Sequence, residues 1–223
     1  MTACDPEFLL MLLADGRLPT SGHTQSGGLE AALLGGLDPT EVVEYCRTRL
    51  RTVTLVNAAT AVVCRHRALA GLGTADVEQA WAARTPSQPL RDAARALGRA
   101  HRRLALHLWP DAPEVAELRS VPAPARPRVL GLVAAAGGLS AGQLVRVVAY
   151  DDVQSVSSAS LKLCPGDPMD AARSVLQLGP DIDGMVPRCA HLTDPDSLPA
   201  ASAPLIEAWA EAHAVSPRRL FRA

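Results

Sequence analysis

Apolar residues along the chain recur at the three- and four-residue spacing of α-helices. The clearest stretch begins at Asp38, where Pro39 and Glu41 follow, as is common in the first turn of a helix. The apolar positions that follow it are Val42, Cys46, Leu50 and Val53. Because this spacing draws one buried stripe, we predict a single long helix that continues to about Ala70.

Further helix starts lie along the rest of the chain. Ser140 and Gln143 form the pattern of a capping box, which predicts a helix to about Leu163, and Asp167–Pro168 begins another. The other predicted helices are Pro6–Ala14, His23–Leu34, Ala75–Arg84, Pro89–His107, Arg126–Ala136 and Pro204–His213. No segment alternates with period two for more than a few residues. The fold class we predict is therefore all-α, a single bundle-like domain of about ten helices.

Two proline-rich stretches, residues 109–128 and 180–204, interrupt the helical pattern. Proline lacks the backbone donor of a helix and restricts the residue before it. We therefore expect an all-α domain over residues 1–178, a proline-rich connection at 179–204, and a C-terminal helix with a docking arm at 205–223. The connection is long enough for the arm to be mobile.

Composition supports a helical protein of the cytoplasm. Apolar residues make up 48% of the 223 residues and aromatic residues only 3%, which suits closely packed helices better than a sheet. The net charge of −1 gives no basic field for nucleic acid. No apolar run is long enough to span a membrane. The five cysteines are scattered and odd in number, as expected for reduced thiols. Arginine outnumbers lysine, which suits protein interfaces, although a GC-rich genome gives the same bias.

Three segments contain residue types that are found in chemical sites. The glycine-rich segment at residues 21–28 lacks the lysine of a phosphate-binding loop. Asp151–Asp152 is similar to the start of the aspartate-rich motif of all-α prenyl-transferring enzymes but lacks its third aspartate, so a solvated helix face is the interpretation we favour. Cys189 and His191 lie in the second proline-rich stretch, where an extended backbone could direct both side chains to zinc or nickel. Two ligands are too few for a tight site. We therefore predict no catalytic residue, no cofactor and no metal site.

The chain ends on an unusual combination of residues. Arg219 and Arg222 flank Leu220 and Phe221, and aromatic and arginine residues carry much of the binding energy at protein interfaces. The segment is either a docking anchor for another protein or an arm that folds back on its own domain. Both interpretations make it a contact element.

These residues also carry a resemblance to a known family. Residues 9–22, with Leu18–Pro19 before the glycine turn at Gly22, resemble the opening signature of the UreF family of urease accessory proteins, and Gly28–Leu29–Glu30 is similar to its ending. Residues 90–99 and 126–150 resemble two further blocks. His213, followed by residues 219–222, resembles the family's C-terminus.

The resemblance implies an all-α adaptor rather than an enzyme. The family joins the accessory protein UreD, also called UreH, to the GTPase UreG, and this assembly loads nickel into apo-urease. It implies a homodimer within that complex. By this analogy the residues that bind partners are Pro19, Gly22, Gly28, Leu29, Glu30, His213, Arg219, Leu220, Phe221 and Arg222. The first five would shape a partner-facing helix start, and the terminal ones would bind UreD.

Departures from the family pattern place the chain in a divergent, actinobacterial-like branch. Residues 23–27 and 165–168 differ from the common runs, and the last residue is Ala223. Several alternatives stay open at this point. Gly22 and Gly28 could simply turn the chain, and Glu30 could pair with a surface arginine. The whole chain could be an all-α prenyl-transfer-type enzyme, or a helical scaffold unrelated to urease.

Overall fold

In the computed structural model, which describes residues 5–20, 22–217 and 219–221, Ser140 and Asp167 each begin an α-helix, and Asp38 begins a short 3₁₀ turn, Pro39–Glu41, that leads into one. The helices are α1 Pro6–Ala14, α2 Leu29–Leu34, α3 Val42–Arg51, α4 Val53–Leu69, α5 Ala75–Ala83, α6 Gln88–Leu108, α7 Pro113–Ala116, α8 Arg126–Ala136, α9 Ala141–Leu163, α10 Pro168–Gln177, α11 Gly179–Cys189 and α12 Pro204–Ala214. Ten of these are nine residues or longer, and no strand occurs in the described residues. The predicted all-α fold of about ten helices is confirmed.

The single long helix expected from Asp38 to Ala70 is wrong, because the structure breaks it at Thr52. Thr52 has φ −126° and ψ −97°, outside the helical region, and its hydroxyl donates to the Thr48 carbonyl at 2.7 Å. A threonine hydroxyl that bonds the carbonyl four residues back often bends a helix. The apolar stripe continues across the break, so spacing alone gives no sign of it.

The proline-rich stretch at 180–204 is not free of helix as expected, since α11 occupies its first part. Pro180 lies in the first turn of α11, where a missing N–H costs nothing. Ile182, Met185 and Cys189 are buried, and α11 packs against α3, α4 and α9.

The helix expected over His23–Leu34 is shorter in the structure. α2 begins only after Gly28, which takes φ +79°.

The centre of the fold is the close pair formed by α4 and α8. A Cβ added at Gly131 of α8 would lie 2.3 Å from the Ala61 carbonyl oxygen and 2.6 Å from Cys64 Cβ of α4. Only glycine allows the two backbones to approach this closely. Ala61, Cys64 and most of α8 are buried, so this contact anchors the core.

The outer helices bring the two ends of the sequence together. α9 crosses α4 and is covered by α10 and α11, while α6 covers α8. α12 returns to pack against both α2 and α6, so the end of the chain meets the turn that precedes α2. No helix in the described ranges combines the length and the hydropathy needed to cross a membrane.

Candidate functional site

The site begins with a glycine turn held rigidly in front of α2. Gly27 and Gly28 take φ +60° and +79°, which non-glycine residues rarely adopt. The Tyr45 hydroxyl donates to the Gly27 carbonyl oxygen at 2.8 Å. A Cβ at Gly28 would lie 2.9 Å from the same hydroxyl oxygen. Gly28 therefore does turn the chain, as one alternative held, and its position fixes where α2 starts.

Glu30, in the first turn of α2, is the hub of the site. Its residue is only 7% exposed. Its carboxylate accepts hydrogen bonds from the backbone N–H of Leu220 at 2.7 Å and of Phe221 at 2.8 Å. His213 Nε2 lies 3.2 Å from the same carboxylate. The alternative of a surface ion pair between Glu30 and an arginine is thus wrong. We call Glu30, His213, Leu220 and Phe221 the C-terminal clasp.

Of the two apolar side chains in the clasp, one is buried and the other is exposed. Phe221 is 6% exposed, and Lys162 Nζ lies 5.3 Å from the centre of its ring, within the range of a cation–π contact. Leu220 is 65% exposed. The arm thus folds back on its own domain through Phe221, as one of the two interpretations held, while Leu220 remains exposed.

The remaining residues expected to bind partners lie in different surroundings. Pro19 and Arg219 are exposed. A Cβ at Gly22 would meet no atom within 4 Å. Leu29 is fully buried and belongs to the core. Arg222 lies outside the described residues.

A buried ion pair supports the turn from below. Arg49 donates to both carboxylate oxygens of Asp152 at 2.9 and 2.5 Å, and the Thr54 hydroxyl donates to it at 2.7 Å. Burial acts to raise the pKa of Asp152, but the charge and hydrogen bonds of Arg49 hold it below its ordinary value. Arg49 also lies 5.9 Å from the centre of the Tyr45 ring. This pair therefore fixes the residue that holds Gly27.

The same pair corrects the interpretation of Asp151–Asp152 as a solvated helix face. Asp151 accepts from Arg126 at 2.7 Å, so both carboxylates are engaged by arginines inside the fold. They are not the open carboxylate pair that a magnesium-dependent prenyl-transfer enzyme needs. Tyr45, Arg49 and Lys162 had no signal in the sequence, because contacts between distant helices are not visible in local spacing.

Cys189 and His191 do not share an extended segment. Cys189 is the last residue of α11 and fully buried, and burial raises the pKa of its thiol to about 11. His191 is exposed, and its Nδ1 lies 3.1 Å from the Pro187 carbonyl oxygen. A thiol that stays protonated at neutral pH is a poor metal ligand. Among the residues that the structure covers, no three His, Cys, Asp or Glu side chains gather as a metal site would need.

The fold and the clasp together define a class: an all-α protein whose C-terminal tail is fastened to the glycine turn before its second helix. The model of the UreF family matches residues 37–179 of the chain. The urease accessory protein UreF of Mycobacterium sp. (strain JLS) is 36% identical over 214 residues, which cover 95% of this chain and 96% of that protein. The protein of the same name in Mycobacterium marinum is 34% identical over 218 residues, 96% of this chain and 97% of that one.

The chain therefore belongs to the UreF family of urease accessory proteins. The members of this family are accessory proteins of urease rather than enzymes. Both the prenyl-transfer alternative and the helical scaffold unrelated to urease are thereby excluded.

Proposed function

We propose that this chain is an adaptor required for assembly of the nickel centre in apo-urease, and that it joins UreD (also called UreH) to the GTPase UreG. Family membership supports the maturation role. The observation that carries the adaptor role is the display of Arg219 and Leu220 on a backbone that Glu30 holds in place. We assign this exposed pair to UreD.

The clasp makes the tail a better anchor than a free chain end. A terminal segment that orders only on binding loses conformational entropy at that moment. Here the N–H groups of residues 220 and 221 are already bonded to Glu30, so part of this cost is met before the partner arrives. Arginine is enriched among the residues that carry binding energy at interfaces, and the exposed side chain of Leu220 adds apolar surface that a partner can bury.

Nickel is the cargo of the assembly in this proposal. The chain acts as a chaperone of apo-urease in the cytoplasm, and UreG supplies the GTP-dependent step. We further propose that two copies of the chain associate within the complex. The exposed apolar residues of α1, Phe8 and Met11 at 65% and 58% exposure, are the surface we expect this contact to cover. Light scattering of the isolated complex would give the number of copies.

Co-purification with UreD and UreG from the same organism tests the adaptor role. The sharper test uses Leu220→Ser, because an exposed side chain can be changed without loss of the fold. Burying a leucine stabilises a complex by about 1.5–3 kcal/mol, so we expect UreD binding to weaken at least tenfold. Leu69→Ser, at a position 53% exposed at the end of α4, is the matched control and should bind normally.

Deletion of residues 218–223 from this chain should abolish UreD binding while its helical body remains folded. Unchanged binding by both Leu220→Ser and the deletion would show that the tail is not the anchor. Failure of the full-length chain to form any complex with UreD or UreG would reject the adaptor role itself.

A further inference from the structure

Along α6 runs a row of basic side chains that is half-buried in its first part and exposed in its second. Arg91, Arg95, Arg99, Arg103 and His107 follow one another at intervals of four residues. Side chains four apart on a helix are neighbours and form a ridge along its surface. The row spans about 24 Å at the rise of an α-helix. We call these five residues the α6 ridge.

The centre of the α6 ridge has no partner among the residues that the structure describes. Arg99 and Arg103 are exposed and make no ion pair or hydrogen bond with any residue that the structure describes. Arg95 lies only 3.9 Å from Asp92, at the limit of an ion pair. Arg91 bonds the carbonyl oxygens of Thr85 and Pro86. By contrast, Arg49 and Arg126, which lie beneath the surface, are each paired with a carboxylate.

Such a row is unfavourable in the isolated protein. Like charges at a spacing of four residues repel one another and destabilise the helix that carries them. The protein as a whole has a net charge of −1, so the ridge is a local excess of positive charge on a nearly neutral molecule. A ligand with the opposite charge pattern would relieve this repulsion, which gives the ridge its binding energy.

The surroundings of the ridge indicate what kind of partner fits. None of the exposed large apolar side chains lies on α6, so the ridge has no apolar wedge to enter a lipid bilayer. The residues that flank its centre on the ridge side are small, Ala96 and Ala100, and half-buried. None of the five residues is a phenylalanine, tyrosine or tryptophan, the large rings on which nucleic-acid bases stack most often. The guanidinium forks match carboxylates in a bidentate manner.

We propose that the α6 ridge is a docking surface for an acidic helix of a partner protein, whose carboxylates are spaced one turn apart. The contact is electrostatic, so it is weakened by salt and acts mainly on the rate of association. It is separate from the C-terminal clasp and does not depend on the urease adaptor role.

A labelled synthetic peptide provides the probe. The peptide is an alanine-based helix with glutamate at every fourth position, and a second peptide has the same composition with its glutamates clustered at one end. Fluorescence anisotropy with the full-length protein at about 50 and 300 mM salt measures binding. We expect the spaced peptide to bind more tightly than the clustered one and to lose affinity at the higher salt. Short RNA and DNA duplexes are measured in parallel.

The variant Arg99→Gln with Arg103→Gln tests the residues. Each exposed pair contributes a factor of about three, so the double variant should bind the spaced peptide about tenfold more weakly. The control is Arg146→Gln with Arg173→Gln, which removes the same charge from two other exposed arginines and should leave affinity within about twofold. Equal loss in both variants, equal binding of the two peptides, absence of saturable binding, or tighter binding of a duplex would each overturn the proposal.

Discussion

Replacement of Glu30 by alanine should release the C-terminal tail while leaving the helical body folded. The change removes the acceptor of two backbone hydrogen bonds, at 2.7 and 2.8 Å, and the partner of His213. Because released donors regain water, each bond contributes about 1 kcal/mol net, so the loss is about 3 kcal/mol. Phe221 would become exposed with the tail.

Hydrogen exchange of the backbone amides measures this release directly. A loss of about 3 kcal/mol corresponds to about a hundredfold faster exchange at residues 220 and 221, while amides of the core should change little. Glu44→Ala, at a side chain 58% exposed, is the control and should change the free energy of unfolding by less than about 0.5 kcal/mol. If residues 220 and 221 keep their protection in Glu30→Ala, then Glu30 does not hold the tail and the clasp is wrongly described.

Three further predictions concern the body of the protein. Gly131→Ala places a Cβ against the backbone of α4 and should lower the free energy of unfolding by about 2–3 kcal/mol. Gly184→Ala in α11, where a Cβ meets nothing within 4 Å, should instead raise the free energy of unfolding by about 0.5–1 kcal/mol. Urea unfolding measures both variants, and a change of the same sign in both would contradict the packing argument. Asp152→Asn should cost about 3–5 kcal/mol because it leaves a buried arginine uncompensated, whereas Asp170→Asn in an exposed pair should cost less than about 0.5 kcal/mol. Burial lowers the pKa of His101 to about 3, with a nearby arginine as a lesser cause. Because only the unfolded chain takes up a proton at this side chain as the pH falls, the free energy of unfolding should drop by about 2 kcal/mol between pH 7 and 5. The variant His101→Gln should show a flatter dependence of this free energy on pH.

Local signals in the sequence predicted most of the helices because the forces that start a helix act over a few residues. The Ser140 hydroxyl accepts from Gln143 N–H, and the Gln143 side chain accepts from Ser140 N–H, at 3.2 and 2.9 Å. Both partners of this box are within three positions of each other and visible in the sequence. The failures are of another kind. The break at Thr52 leaves the apolar stripe intact, and α11 contains two prolines that local rules assign to a loop.

The candidate site was only partly accessible to prediction. Glu30 and His213 are 183 positions apart, and no rule of spacing brings them together. The resemblance named both residues, but the contact between them and the burial of Phe221 come from the structure. The pairing of Arg49 with Asp152 was not predictable for a related reason. Charged residues are expected on the surface, and only the packing of α3 against α9 shows that these two are paired inside.

The helical body also positions the residues of the clasp, which lie far apart along the chain. The family model matches residues 37–179, while Glu30 precedes this range and His213 and Phe221 follow it. The body therefore acts as the frame that brings the two flanking segments within hydrogen-bonding distance. Because Gly28 sets the start of α2 and Tyr45 holds the turn before it, the geometry of the glycine turn determines where the carboxylate of Glu30 meets the tail. The glycine turn and the C-terminal tail are thus coupled through Glu30. The positions of Arg219 and Leu220 therefore depend on the conformation of Gly27 and Gly28.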